Sequence, residues 1–114
     1  MLRLSKCSRD DFVKSISTDK GDNFAKTFIA KADMQDQWDY CIGAFDGNDL
    51  TAAIITTISK TKPHVANLQL LHTFVKHRGK GSARLLCEDS LIRAKANGAS
   101  YFRVSSEKSA VGFY

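Results

Sequence analysis

Leu2, Leu4 and Lys6 open the chain at alternate positions and predict a short strand. Ser8 then precedes Arg9, Asp10 and Asp11. A serine hydroxyl can cap exposed amides and acids suit a helix N-terminus, so a helix is expected over residues 9–17. Thr18 through Asn23 are turn-like, after which Phe24, Phe28 and Ile29 recur at helical spacing among Ala25, Ala30 and Ala32. These predict a second helix ending before Trp38. From Trp38 the period falls to two: Trp38, Tyr40, Ile42 and Ala44 alternate with Asp39, Cys41 and Gly43, and Asp46-Gly47-Asn48 supplies a tight turn. A hairpin is expected, with a β-branched return arm from Leu50 to Ser59. Lys60 to Pro63 make the next turn, and His64 to Val75 a third antiparallel arm through Val65, Leu68, Leu70, Leu71 and Phe74. After Gly79-Lys80-Gly81 the period becomes 3.6, with Ala83, Leu86, Cys87, Ser90, Leu91 and Ala94 on one stripe. A helix is expected from about 80 to 96, stopped by Asn97-Gly98, followed by a strand at Tyr101 to Val104. Ser105 to Ser109 would open a last helix carrying Ala110, Val111, Phe113 and Tyr114.

The 114 residues are 43% hydrophobic and 25% charged, as expected of a single compact domain over residues 1–114. One proline and no apolar run near the ~20 residues of a membrane helix exclude a low-complexity linker and a bilayer-spanning chain. Charges recur every few residues from Arg3 to Asp11, so no secretory signal is visible and a cytoplasmic location is expected. Cys7, Cys41 and Cys87 are odd in number and lack CxxC spacing, which points to reduced thiols and to no metal site.

Charge changes sign along the chain. Residues 1–57 hold seven Lys/Arg against nine Asp/Glu, a net of −2, whereas residues 58–114 hold ten against three, a net of +7. Between Asp49 and Glu88 there is no acid, and Lys60, Lys62, Lys76, Arg78, Lys80 and Arg84 share that stretch with His64, His72 and His77. Such a stretch favours an anion or forms a solvated basic face. Sparse aromatics in it, with Phe74 alone between Lys60 and Arg84, argue against nucleic acid.

The chemistry concentrates in Leu71 to Ala83, a strand running into a glycine-containing loop that opens an apolar-striped helix. At a helix N-terminus the first amides lack partners and the macrodipole is positive; glycines admit close approach, and Arg78, Lys80 and Arg84 add charge. A pyrophosphate satisfies all of these. The spacing is neither GxxxxGK[ST] nor GxGxxG, which lowers nucleotide-hydrolase and nicotinamide readings.

With this loop after the third arm of a meander, and a helix, a strand and Ala-Val-Gly-Phe-Tyr after it, the sequence resembles the GCN5-related N-acetyltransferase (GNAT) family. Arg78, Gly81 and Ala83 match its Gln/Arg-x-x-Gly-x-Gly/Ala signature in register, and Ala110, Phe113 and Tyr114 match its later Asn-x-x-Ala and Phe-Tyr pattern. The resemblance implies an α/β (α+β) acyl-CoA N-acyltransferase fold, a mostly antiparallel mixed sheet flanked by helices, and acetyl-CoA as cosubstrate. It implies that the backbone of Leu71, His72 and Thr73 pairs with the pantetheine arm. The amides of Gly79, Lys80, Gly81, Ser82 and Ala83, with Arg78 nearby, would hold the pyrophosphate, and Tyr114 would protonate the departing thiolate. An amine acceptor would attack the thioester directly.

Two positions depart from the family. Asn67, with Gln69 beside it, stands where some relatives carry a glutamate base, leaving His72 or His64 through water as alternatives. Glu107 stands where an asparagine is usual. Relatives also complete the last helix and add two strands, so a C-terminally shortened fold is expected, its exposed sheet edge completed by another chain in a homodimer. A non-catalytic CoA-binding or partner-binding relative is the alternative reading. Asp33, Asp36 and Asp39 either attract a cationic amine or form solvated turns.

Overall fold

A computed structural model of the chain describes residues 2–17, 23–58, 61–62, 64–74 and 77–104. Ser8 begins the first helix as the sequence suggests. Its Oγ accepts the Asp11 amide at 3.1 Å, while Asp11 Oδ2 accepts the Ser8 amide at 3.2 Å. This reciprocal capping box stabilises a helix start by about 1 kcal/mol. It links strand β1 (Leu2–Lys6) to helix α1 (Arg9–Ser17), and helix α2 (Asn23–Gln35) follows.

The period-two reading from Trp38 is corrected at its start: Trp38–Tyr40 form one 3-10 turn, and strand β2 begins only at Cys41 (Cys41–Asp46). The Tyr40 amide closes the turn on Gln37 O at 3.0 Å. The Trp38 indole donates to Asp33 at 2.7 Å, which holds the ring against the helices rather than in the sheet. The expected meander then runs through β3 (Asp49–Ile58) and β4 (Val65–Thr73), with Gly47 at φ 63° in the tight turn. Helix α3 (Ser82–Ala96) and strand β5 (Tyr101–Val104) complete the described elements. Gly98, at φ 89°, ends α3 with its amide on Lys95 O and the Ala99 amide on Ala94 O, the paired bonds of a Schellman motif.

The sheet order is β1-β2-β3-β4-β5, antiparallel except for the parallel β4–β5 pair, whose crossover is α3. It is the mixed α+β sheet expected from the sequence. Helices cover both faces. Phe12, Ala25, Phe28 and Ala32 of α1 and α2 pack with Cys41, Phe45, Leu50, Ala53, Ile55 and Phe74, while Leu86 of α3 packs with Ala44, Ala52, Ile54 and Leu68. Leu91, expected on the buried stripe of α3, is instead 38% exposed, one position round from the buried Ala83, Leu86, Ser90 and Ala94. Cys7 and Cys41 are buried free thiols, and the hydrogen bond that the Cys41 thiol makes to Cys7, together with burial, pushes Cys41 well above its usual range, keeping it protonated. At Gly43, between them and Phe45, an added Cβ would lie 2.6 Å from Leu50 Cδ1 and 3.1 Å from Cys7 Cβ, so glycine there permits close packing.

Two irregularities set the geometry around β3. Ala44 pairs with Ala52 and Phe45 with Leu50, leaving Thr51 as an extra residue in β3. Ile55 pairs with Leu70 and Thr56 with Leu68, leaving Gln69 extra in β4. Each extra residue resets the alternation by one. Leu68 and Leu71 therefore face the same α3 side although they are three apart.

Candidate functional site

The site grows from the way β4 loses a neighbour. β5 pairs with Val65 through Leu68 only, and among the described residues nothing pairs with that side of β4 from Gln69 to Thr73. On its other side this stretch stays in the ladder, with Leu70, Leu71, His72 and Thr73 opposite Ile55, Ile54, Ala53 and Ala52. The result is a strand edge whose backbone groups can take an extended ligand as a further strand. Leu71 packs on the α3 side. His72 turns to the opposite face, where its ring stands 4.9 Å from Phe74 and 6.0 Å from Phe12 between centroids.

β4 leads directly into the glycine loop. Phe74, 1% exposed, ends the strand with its amide on Thr51 O at 3.0 Å, and the His77 amide closes on Phe74 O at 2.9 Å. Gly79 and Gly81 follow at φ 85° and 79°, left-handed backbone that costs a side-chain-bearing residue roughly 1–2 kcal/mol. Among the described residues a Cβ at either would meet nothing within 4 Å, so backbone conformation rather than crowding calls for glycine there.

Gly81 is the N-cap of α3 and supplies no side-chain cap; the first intrahelical bond runs from the Leu85 amide to Gly81 O at 3.1 Å. Among the described residues the amides of Ser82, Ala83 and Arg84 have no acceptor. Three N–H groups at the positive end of a fifteen-residue helix thus stand beside the open loop, an arrangement suited to an anion.

The cations around the loop are not equivalent. Arg78 is exposed and makes no ion pair with a described residue. Lys80 Nζ instead lies 3.0 Å from His77 Nδ1 and 3.6 Å from Asp46 Oδ2. An ammonium only donates, so His77 Nδ1 accepts and a neutral ring carries its proton on Nε2. Arg84 pairs with Glu88 at 3.1 Å along the helix surface.

Leu71, His72 and Thr73 thus lie on the part of β4 beyond its pairing with β5, and Arg78, Gly79, Lys80, Gly81, Ser82 and Ala83 on the loop and helix start after it. Tyr114, the last helix expected from Ser105 onward, Lys60 and Lys76 lie outside the described residues. His64 stands at the opposite end of β4 from the loop, where its carbonyl accepts the Ser100 amide at 2.7 Å. Gln69 donates to Thr57 Oγ1 at 3.1 Å. Asp33, weighed above as an attractor of amines, accepts a two-pronged bond from Arg9 and a third bond from Trp38. Those hydrogen bonds hold its carboxyl below the usual aspartate range, Arg9 first and Trp38 second.

Sequence reasoning missed Asp46 and Thr51. The meander brings the end of β4 beside the β2–β3 turn, which places Asp46 within reach of the loop. Thr51 read only as one β-branched residue among several, yet it is fully buried and its hydroxyl meets that of Ser82 at 2.8 Å.

A sequence model described as an acetyltransferase (GNAT) domain matches residues 7–114. No curated protein matches the sequence. The structure resembles that of a transcriptional regulator from Bacillus halodurans C-125 at TM-score 0.72 and 17% identity, covering 100% of this chain and 89% of that one. It resembles PaiA N-acetyltransferase from Thermoplasma acidophilum in complex with coenzyme A at TM-score 0.70 and 15% identity, covering 99% and 84%. A third likeness is to a predicted acetyltransferase with acetyl-CoA from Clostridium acetobutylicum, at TM-score 0.61 and 16% identity, covering 100% and 86%. At these identities the likeness speaks for a shared fold.

Proposed function

The chain belongs to the GNAT acetyltransferase family, and from that premise we propose that it transfers an acetyl group from acetyl-CoA to a primary amine by direct attack. One observation carries this reading: the β4 edge at Gln69 to Thr73, which no described strand pairs on its β5 side, leads into a left-handed glycine loop and an uncapped helix start. An extended pantetheine arm needs backbone partners along a strand, and the diphosphate at its end needs amides and positive charge. The two requirements are met in that order along one continuous segment. Arg78 would add its guanidinium to the phosphates, as a fork suited to them.

The acetyl-transfer step needs a neutral amine beside the thioester carbonyl. Nitrogen attacks the carbonyl carbon, a C–N bond forms, and the C–S bond breaks with its electron pair leaving on sulfur. Tyr114 is assigned as the acid that protonates this thiolate. The proton lost by the amine passes through water, with His72, on the same β4 stretch that would pair with the pantetheine arm, as the imidazole that takes it; His64 stands at the far end of that strand. Backbone amides of the free edge would stabilise the developing oxyanion. A second copy of the chain, pairing along β5 at the edge of the described sheet, belongs to the same proposal.

The test is thiol release from acetyl-CoA in the presence of a panel of primary amines, with acetylated product identified by mass. Amine-dependent release above the no-enzyme rate supports the proposal. Saturable acetyl-CoA binding with no product from any amine class would instead support a non-catalytic CoA-binding protein, the reading favoured by neutral Asn67 and Gln69 on β4.

A further inference from the structure

We propose that Thr51 is a positioning residue for the diphosphate loop, fixing both ends of it from inside the sheet. The proposal rests on the reading of Gly79 to Arg84 as that loop. Thr51 is the extra residue of the β3 bulge, 0% exposed in an otherwise apolar stretch. A buried hydroxyl is costly without partners, and this one has two. Its Oγ1 lies 2.8 Å from Ala44 O and 2.8 Å from Ser82 Oγ.

The polarity of this chain of bonds follows from the chemistry. A carbonyl only accepts, so the single Thr51 proton goes to Ala44 O. Thr51 Oγ1 must then accept from Ser82, whose proton is directed inward, away from the loop mouth. Ser82 is the first residue of α3 and 2% exposed. The relay Ser82 to Thr51 to Ala44 therefore ties the start of α3 to two strands. Rotation of the helix about its axis would break a buried hydrogen bond.

The backbone of the same residue holds the other end. Thr51 O accepts the Phe74 amide at 3.0 Å, where β4 gives way to the loop. Entry at Phe74 and exit at Ser82 are thus both fastened to Thr51. Lys80 adds a third, exposed tie to Asp46 on the same turn side. The amides of Ser82, Ala83 and Arg84 are aimed by this frame, and a diphosphate senses their direction.

The experiment compares Thr51→Val, Thr51→Ser and Ser82→Ala with wild type by calorimetric titration of acetyl-CoA, alongside thermal unfolding of each. Thr51→Val keeps the shape and removes the hydroxyl, and affinity is expected to fall by about tenfold or more. Thr51→Ser retains the hydroxyl and is expected to recover affinity close to wild type. Ser82→Ala keeps a good helix former, so it reports on the tie even where Thr51→Val does not fold, and it too is expected to weaken binding. With an amine acceptor, the loss should appear in KM for acetyl-CoA and not in kcat at saturation. Folded variants that all bind as tightly as wild type would overturn the proposal while leaving the loop assignment intact. Equal loss in Thr51→Ser and Thr51→Val would overturn it too, by assigning the effect to packing. A wild type that itself fails to bind acetyl-CoA would remove the loop assignment and the proposal together.

Discussion

Lys80 Nζ lies 3.0 Å from His77 Nδ1, so the lysine of the glycine loop is turned back against the loop's own entry. Asp46 Oδ2 at 3.6 Å holds it on the same side. Arg78, two positions earlier, is exposed and makes no ion pair with a described residue.

This difference predicts unequal contributions to cofactor binding. Arg78→Ala should weaken acetyl-CoA binding by roughly ten- to a hundredfold, the loss of one charge-assisted hydrogen bond of about 1.5–3 kcal/mol. Lys80→Ala should cost distinctly less, because in the free protein that ammonium already serves Asp46 and His77. Calorimetric titration at two salt concentrations separates the two; a larger loss for Lys80→Ala would contradict the assignment.

The Asp33 clamp predicts a specific pH dependence of stability. Bonds from Arg9 and then Trp38 lower the Asp33 pKa below its usual 3.8. A lowered folded-state value contributes stability that is present above pH 3.8 and is lost as pH falls through the folded value. Arg9 is raised above its usual range, first by its hydrogen bond to Asp33, so its contribution persists up to strongly alkaline pH. Asp33→Asn should therefore lower Tm at pH 7, and the difference from wild type should shrink towards pH 2. A difference that stayed constant or grew on acidification would contradict this account.

Phe12 tests the helix layer. It is fully buried and lies 4.5 Å from Phe28, 5.1 Å from Phe74 and 5.8 Å from Trp38 between ring centroids. Phe12→Ala should cost about 3–5 kcal/mol of unfolding free energy, measured by urea denaturation. A cost below about 1 kcal/mol, the scale of a surface change, would mean that α1 is not docked as described.

Much of the architecture was legible from periodicity and punctuation. Ser8 with Asp11 marks the start of α1, Gly47 the first hairpin, and Asn97-Gly98 the end of α3. Each is a local signal whose physics needs only a few neighbouring residues. The 3-10 turn at Trp38 was not legible, because the bond from its indole to Asp33 competes with strand pairing only once α2 is in place. The bulges at Thr51 and Gln69 were hidden for a related reason: a two-residue period cannot reveal that one position has no partner. The glycine loop stood out by residue type. The residues that hold it, Asp46 and Thr51, come from 28 or more positions earlier in the chain and emerge only when the strands are in register.

The most direct measurement is calorimetric titration of acetyl-CoA into wild type, Gly81→Trp and Gly98→Trp. Both glycines have positive φ, 79° and 89°, and a Cβ at either meets none of the described residues, so the two substitutions impose the same kind of backbone strain at opposite ends of α3. Gly81→Trp should abolish binding by filling the approach to the helix amides, while Gly98→Trp should bind as wild type does. Equal heats from all three proteins, or loss of binding in Gly98→Trp alone, would contradict the account.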